Sequence, residues 1–600
     1  MKKIISTIII IPLILSGCIN LDLVESDALS GAALATNPAA AVYTTDGIYA
    51  MMKEMTKYQN SQNNSFVRQY FLLNELKADN ICYSNTSTDP FWKAAQYIDA
   101  ANDANSSFMW FVCYKMLYAA NSNINGLNED TPLSKQLKGE NYFLRAFLHF
   151  TLCTLYAKPY TFDNGASLGV VMRMGMDYSE TKRSTVAECY QYIEDDLKEA
   201  IRLMDPANKR NKGDNGYASQ EAAHALLGRL YLYKGDWDGC IEQCSAILGD
   251  DPGSHLENEV TTLYSTATSN KEVIWCVDIT DNDIANMPPK GNLASMYDSP
   301  DGSQNTGWGE LYVCDPLLDL FERYPQDKRY KDIIRLHNSQ PGLMVVWGEM
   351  DGDHLIPAKT LPNVDKTTGA ITSSVTDNGD GTYSFKYENK DLKAIPDNTA
   401  SKISDEFPGY ILNDGSNTRC YVRNVIPTPA LDANNNPTWD GSGCSIRNST
   451  PYLCWFSEKF SHDVRLSYPI SSSFILLRYA EVILNRAEAY AHKGDATNAL
   501  NDVNAVRKRA GLTGAAQMST TNIAGRGYPD ALAAVLDERR MEFYYEGLRL
   551  HDLLRNKIDI DRRFPSFAKA EVVPYTYSYI QYQIPMDETN VSGIPTNERD

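Results

Sequence analysis

The stretch Tyr217–Leu248, YASQEAAHALLGRLYLYKGDWDGCIEQCSAIL, limits the choice of fold more than any other. Its apolar residues fall at Ala222, Ala225, Leu226, Leu230 and Tyr233, and again at Trp237, Ile241 and Leu248, which is the spacing of two successive helices. Lys234-Gly235-Asp236 interrupts the pattern, and Gly235 can take the left-handed turn that ends a helix. Ala222, Ala225 and Gly228 are small enough to let the two helices approach closely. The arrangement returns in Tyr479–Leu512, where Tyr490, Gly494-Asp495 and Ala499 stand as Tyr231, Gly235-Asp236 and Cys240 do in the first unit. A hairpin of this kind cannot bury its apolar face alone, so both units must pack with other helices of the chain.

Leu227-Gly228-x-x-Tyr231 followed by Gly235-Asp236-Trp237 fits the tetratricopeptide (TPR) helical-hairpin template. The units lie in different halves of the chain, so they do not form a tandem array. They predict a mainly α-helical scaffold assembled from scattered segments, with irregular segments laid against it. A length of 600 residues would ordinarily suggest several domains. No long Pro/Gly/Ser linker divides the chain, however, and a 43% hydrophobic content can fill one large composite core. A formal net charge of −20 argues against nucleic acid as a partner, since that binding depends on Lys and Arg neutralising phosphates.

At the N-terminus, Lys2-Lys3 precede an apolar run from Ile4 to Leu15 that is too short to span a membrane. This is the pattern of a secretory signal peptide, residues 1–17. It ends in Leu15-Ser16-Gly17-Cys18, which resembles a bacterial lipobox and marks Cys18 as the lipidated first residue of the mature chain. Several acyl chains would anchor it stably, each buried methylene contributing about 0.8 kcal/mol. Of the other cysteines, Cys113, Cys153, Cys189, Cys240 and Cys244 sit in helical patterns. Cys240 and Cys244 are one turn apart on one helix, a poor disulfide geometry, so buried free thiols are expected.

The rest of the chain divides into a helical region 18–270, a loop-rich middle 271–470 and a helical region 471–600 that completes the same body. In the first, Gly139–Tyr156 is a strongly apolar helix, and Ser184–Met204 is another with Ser184 as N-cap. Glu272–Val277 reads as a strand. Pro341 to about Lys459 reads as irregular apart from a hairpin at Thr372–Tyr387. Helical texture is expected to resume at Phe474.

No catalytic constellation emerges. Gly165-Ala166-Ser167-Leu168-Gly169 matches G-x-S-x-G but lacks the preceding strand and following helix of a nucleophile elbow. The histidines show no metal-ligand spacing. Asp377–Gly381 and Asp432-x-Asn434-x-Asn436 leave room for a structural calcium ion, although the first is more simply a hairpin turn. Glu546/Arg549 and Asp552/Arg555 lie one helical turn apart and are read as ion pairs fixing the last helix. The aromatics are the candidate ligand contacts: each ring could rest on the apolar C–H face of a sugar, with Asp, Asn and Arg taking the hydroxyls, or could pack in the core. The candidate constellation is Asp79, Asn80, Tyr83, Phe91 and Trp92 from an early loop, with Tyr297 and Trp308 from the middle.

Four segments together resemble the SusD/RagB family of surface nutrient-binding lipoproteins. They are Gly139–Tyr156 (GENYFLRAFLHFTLCTLY), the opening hairpin, Leu477–Leu512 with its Arg478-Tyr479-Ala480-Glu481 and Arg486-Ala487-Glu488, and Leu536–Arg555 (LDERRMEFYYEGLRLHDLLR). The resemblance implies a mostly helical fold with four TPR-like units and no enzymatic activity. It further implies an outer-membrane lipoprotein, facing outward, that passes a glycan to a SusC-like TonB-dependent transporter. Peptide or another nutrient on the same scaffold, or a TPR-like transporter subunit without a soluble ligand, are the alternative readings.

Overall fold

The computed structural model describes residues 38–599 except 59–60, 84–89, 178, 180, 211–213, 287–291, 299–310, 339–341, 352–353, 362–372, 398–408, 417, 428–429, 432–436, 439–453, 462–471 and 565–570. The signal peptide, Cys18, Trp308 and the Asp432–Asn436 stretch therefore lie outside the described residues.

The leading helices are α1 (Pro38–Lys53), α2 (Phe66–Glu75), α3 (Phe91–Ala95), α4 (Ala104–Gly126), α5 (Pro132–Tyr156), α6 (Val186–Leu203), α7 (Gln220–Lys234) and α8 (Trp237–Leu248). In the middle lie α9 (Leu293–Tyr297) and α10 (Asp315–Glu322), and near the end α11 (Tyr479–His492), α12 (Ala496–Arg509), α13 (Ala531–Phe543) and α14 (Arg549–Arg555). Four pairs, α5/α6, α7/α8, α11/α12 and α13/α14, follow one another in space, each packed on the next. The fold is thus mainly helical, and α8 against α11 is the junction where the two distant halves of the chain meet. The two hairpins with the shared template turn alike. Gly235 (φ +80°) and Gly494 (φ +79°) adopt the left-handed conformation that favours glycine. Between α7 and α8 the approach is close enough that a Cβ on Gly228 would lie 2.9 Å from the Cys244 sulfur. Cys113, Cys153, Cys189, Cys240, Cys244, Cys314 and Cys420 are buried thiols outside any disulfide.

Local rules set the helix starts, with two shifts from expectation. The N-cap of α6 is Thr185, not Ser184. That places Glu188 where the reciprocal cap needs it: Thr185 Oγ1 accepts from the Glu188 N–H at 3.2 Å, and Glu188 Oε2 accepts from the Thr185 N–H at 2.7 Å. Thr131 and Pro132 likewise start α5 earlier than its apolar run suggests.

Larger corrections come from the strands. Phe474–Arg478 is not helical but a fully buried strand, antiparallel to Val273–Val277, with Phe474 opposite Val277. A short apolar run bears no periodicity that separates a buried strand from a helix. The middle is also more ordered than its sequence texture suggests. Among the described residues nine strands form one sheet: β4 (Ile334–Asn338), β5 (Gly342–Asp351), β6 (His354–Thr360), β7 (Val375–Asp377), β8 (Tyr383–Tyr387), β9 (Lys390–Pro396), β10 (Tyr410–Leu412), β11 (Arg419–Pro427) and β12 (Cys454–Ser457). In this numbering β1 is Ile81–Tyr83, β2 Val273–Val277, β3 Leu311–Val313 and β13 Phe474–Arg478. The long strand β11 pairs antiparallel with β5 and parallel with β4. Val345, Trp347, Phe385, Leu392 and Leu412 give the sheet a small core of its own, separate from the main helical core. The expected hairpin is β7–β8, paired with Asp377 opposite Tyr383.

Candidate functional site

Three residues at the end of α2 begin the site. Glu75, Asp79 and Asn80 are buried, and each is held by the C-terminal helices. Asp79 receives Arg549 through two bonds, Nε to Oδ1 at 2.8 Å and Nη2 to Oδ2 at 3.0 Å, with Arg540 at 3.5 Å. Burial alone would raise the Asp79 carboxyl, but the two guanidiniums override it and hold the group well below the usual carboxylate range. Asn80 Oδ1 accepts from Arg540 Nε at 2.9 Å, and its Nδ2 donates to Glu75 Oε1 at 3.2 Å. The other Glu75 oxygen accepts from the Gly547 N–H at 3.0 Å, and burial pushes this carboxyl up to about 7.

Glu546 and Arg549 do not pair with each other. The helix α13 ends at Phe543, and Tyr545 and Gly547 take left-handed angles, so the two charges never share a continuous helix face. Glu546 instead pairs with Arg478 at 2.8 Å and Lys459 at 2.5 Å. Asp552 and Arg555 do pair along α14 at 2.7 Å.

On this charged floor rests the ribbon β1–β3, with Ile81 opposite Val313 and Tyr83 opposite Leu311. The register has a consequence for binding. The chain leaving Tyr83 toward Trp92 and the chain arriving at Leu311 from Trp308 meet the ribbon at the same end. The described ends of the two segments, Tyr83 and Leu311, are therefore neighbours. Tyr83 is buried, and its ring meets Trp92 edge-on at 4.8 Å and 83°. Phe91 is buried under the Arg68 guanidinium, 4.6 Å from the ring centre. Tyr297, at the end of α9, is buried and stacks on Tyr545 at 4.1 Å and 9°. The hydroxyls of Tyr297 and Tyr545 are buried without a hydrogen-bond partner. Trp92 is partly buried, whereas the other described candidates are fully buried. Asp79, Asn80, Tyr83, Phe91 and Tyr297 thus lie beneath the surface, where they fix the ribbon and the indole. Sequence reading missed the stacked partner Tyr545; its signal was the pair Tyr544-Tyr545 just before Glu546-Gly547.

The other described tryptophans, Trp110, Trp237, Trp275, Trp347 and Trp455, serve packing. Trp275 stands between Phe143 and Phe147, 4.9 Å from each, and Trp237 stacks on His492 at 3.9 Å. The acidic loop of the β7–β8 hairpin spends its carboxylates on its own backbone, Asp377 accepting from the Gly379 N–H and Asp380 from the Thr382 N–H. Among the described residues no group of three or more His, Cys, Asp or Glu side chains could hold a metal ion, and no helix is long and apolar enough to cross a membrane. Two clefts went unnoticed in the sequence. One of about 230 Å³ lies beside Tyr49 and Tyr217, and one of about 500 Å³ lies between the end of α8 and α12.

Residues 271–592 match the model of the SusD family, and residues 36–232 match a family described as starch-binding, associating with the outer membrane. The chain is 34% identical over 461 residues to the starch-binding protein SusD of Bacteroides thetaiotaomicron, covering 76% of this chain and 70% of that one. It is 21% identical over 495 residues to the SusD-like protein P25 of Formosa agariphila, covering 81% and 77%. The crystal structure of a SusD superfamily protein from Bacteroides thetaiotaomicron superposes with a TM-score of 0.63 at 20% identity, covering 94% of this chain and 100% of that one.

Proposed function

Because this chain belongs to the SusD family, we propose that it is a lipid-anchored, outward-facing outer-membrane protein that captures an oligosaccharide and passes it to a SusC-like TonB-dependent transporter. Proteins of this family bind and do not catalyse, and this chain is not an enzyme. Association with the outer membrane is supported by the family matched over residues 36–232, and the tether would be Cys18. The glycan reading draws on that family and on the starch-binding relative.

The observation that carries it is Trp92. A partly buried tryptophan, its ring met edge-on by buried Tyr83, stands at the ribbon end where Tyr83 and Leu311 lie opposite each other. Such a ring offers a rigid apolar face to a sugar at little entropic cost. Trp308 belongs to the second of these loops and is proposed as a further stacking residue.

The test is a Trp92→Ala variant of the full chain titrated with a glycan that the wild type binds. Stacking on one ring is worth about 1–3 kcal/mol in the analogous base–aromatic case, so affinity should fall by roughly five- to 150-fold while the chain stays folded. Unchanged affinity would remove Trp92 from the site.

A further inference from the structure

The two hairpins with the shared template lie side by side, and the cavity of about 500 Å³ opens at their junction. One wall is the chain leaving α8, where Gly249 at φ +62° turns Asp250 and Asp251 toward the opening. The other wall is a face of α12 carrying Asn501 and Lys508, two turns apart. The floor is rigid. Arg486 holds Asp502 through two bonds, Nε to Oδ2 at 2.9 Å and Nη2 to Oδ1 at 2.8 Å, and donates a third to Ser245 Oγ at 3.2 Å. Both charged side chains are buried, so three helices from the two halves of the chain fix one surface. The half-exposed ring of Tyr490 borders it.

We propose that this groove is a second oligosaccharide-binding site, separate from the Trp92 end; the proposal rests on the glycan reading above. The side chains of Asn501, Lys508 and Asp250 are in exposed residues and make no hydrogen bond or ion pair with the described residues. They present a carboxamide that donates and accepts, an ammonium that only donates and a carboxylate that only accepts. Sugar hydroxyls need all three. The charges on the two walls are of opposite sign, which suits a neutral ligand over a polyanion or a polycation. A floor locked by buried ion pairs loses little entropy when a ligand settles on it. With two sites on one body, a polysaccharide long enough to reach both would gain avidity that a short fragment would not.

The test is calorimetric titration of the full chain in detergent with maltoheptaose, laminarihexaose, xylohexaose and mannohexaose. The proteins compared are the wild type, Trp92→Ala and the double variant Asn501→Ala/Lys508→Ala, whose altered side chains are exposed and should leave the melting temperature unchanged. The expected result is two sites per wild-type chain for at least one sugar, with Trp92→Ala and the double variant each losing a different one. A single wild-type site, lost in Trp92→Ala and intact in the double variant, would overturn the groove while leaving the glycan reading standing. A wild type silent to all four sugars would overturn both.

Discussion

Asp79 sits 470 residues from Arg549 in sequence and 2.8 Å from it in space. A buried carboxylate between two guanidiniums is stable only while the set is complete, because removing one member leaves the others charged and dry. Replacing Asp79 by Ala should therefore destabilise the chain by about 3–5 kcal/mol. Chemical denaturation would show this as a lower midpoint; an unchanged midpoint would mean that Arg540 and Arg549 find other partners. The contrast with Trp92 matters, since Trp92→Ala is expected to cost affinity and Asp79→Ala stability. Sequence reading could separate the two only in part. The i,i+3 pair Asp552–Arg555 was legible because a helix enforces it, whereas Asp79–Arg549 leaves no local trace. Glu546 and Arg549 have the same spacing and do not pair, because the helix stops at Phe543.

Among the elements, α1 shows how a surface helix is tied to the scaffold by charge. Tyr49 of α1 donates to Glu140 Oε2 of α5 at 3.1 Å, and Arg210 pairs with both Asp46 and Glu140. Burial pushes the Glu140 carboxyl up to about 7, against the opposing pull of Arg210. The folded value exceeds the unfolded one, so this group's contribution is complete below about pH 4.5 and is lost as pH rises through 7. That loss is on the order of 3 kcal/mol. Glu140→Gln stays neutral, so its stability relative to wild type should improve between pH 5 and pH 8. Urea midpoints at the two pH values would check it, and parallel curves would contradict it. Elements with a strong local signature were readable. The Gly235 and Gly494 turns follow from glycine placement, and the α6 cap was off by only one residue. The strand Phe474–Arg478 was not, because it is short and pairs with a segment far away in sequence, and of the sheet only the β7–β8 hairpin was read, since β11 finds its partners β4 and β5 far upstream.

At the scale of the molecule, two halves of one chain build a continuous array of helical pairs, and strands from the middle brace one flank. The family was legible because its motif residues enter buried ion pairs: Glu481 with Arg229 and Arg478 with Glu272 join distant segments, while Arg486 with Asp502, Glu488 with Arg555 and Arg539 with Asp552 fix the C-terminal helices to one another. The ligand was not legible, since binding surfaces are laid over such a scaffold without being required by it. The central claim, a glycan-capturing protein without catalysis, is tested most directly by one measurement. The full chain would be incubated with a broad panel of plant, host and microbial oligosaccharides, with binding and product release followed in the same samples. The account predicts saturable binding of at least one glycan, recovered intact. Either a panel without any bound glycan or the appearance of cleaved sugar would contradict it.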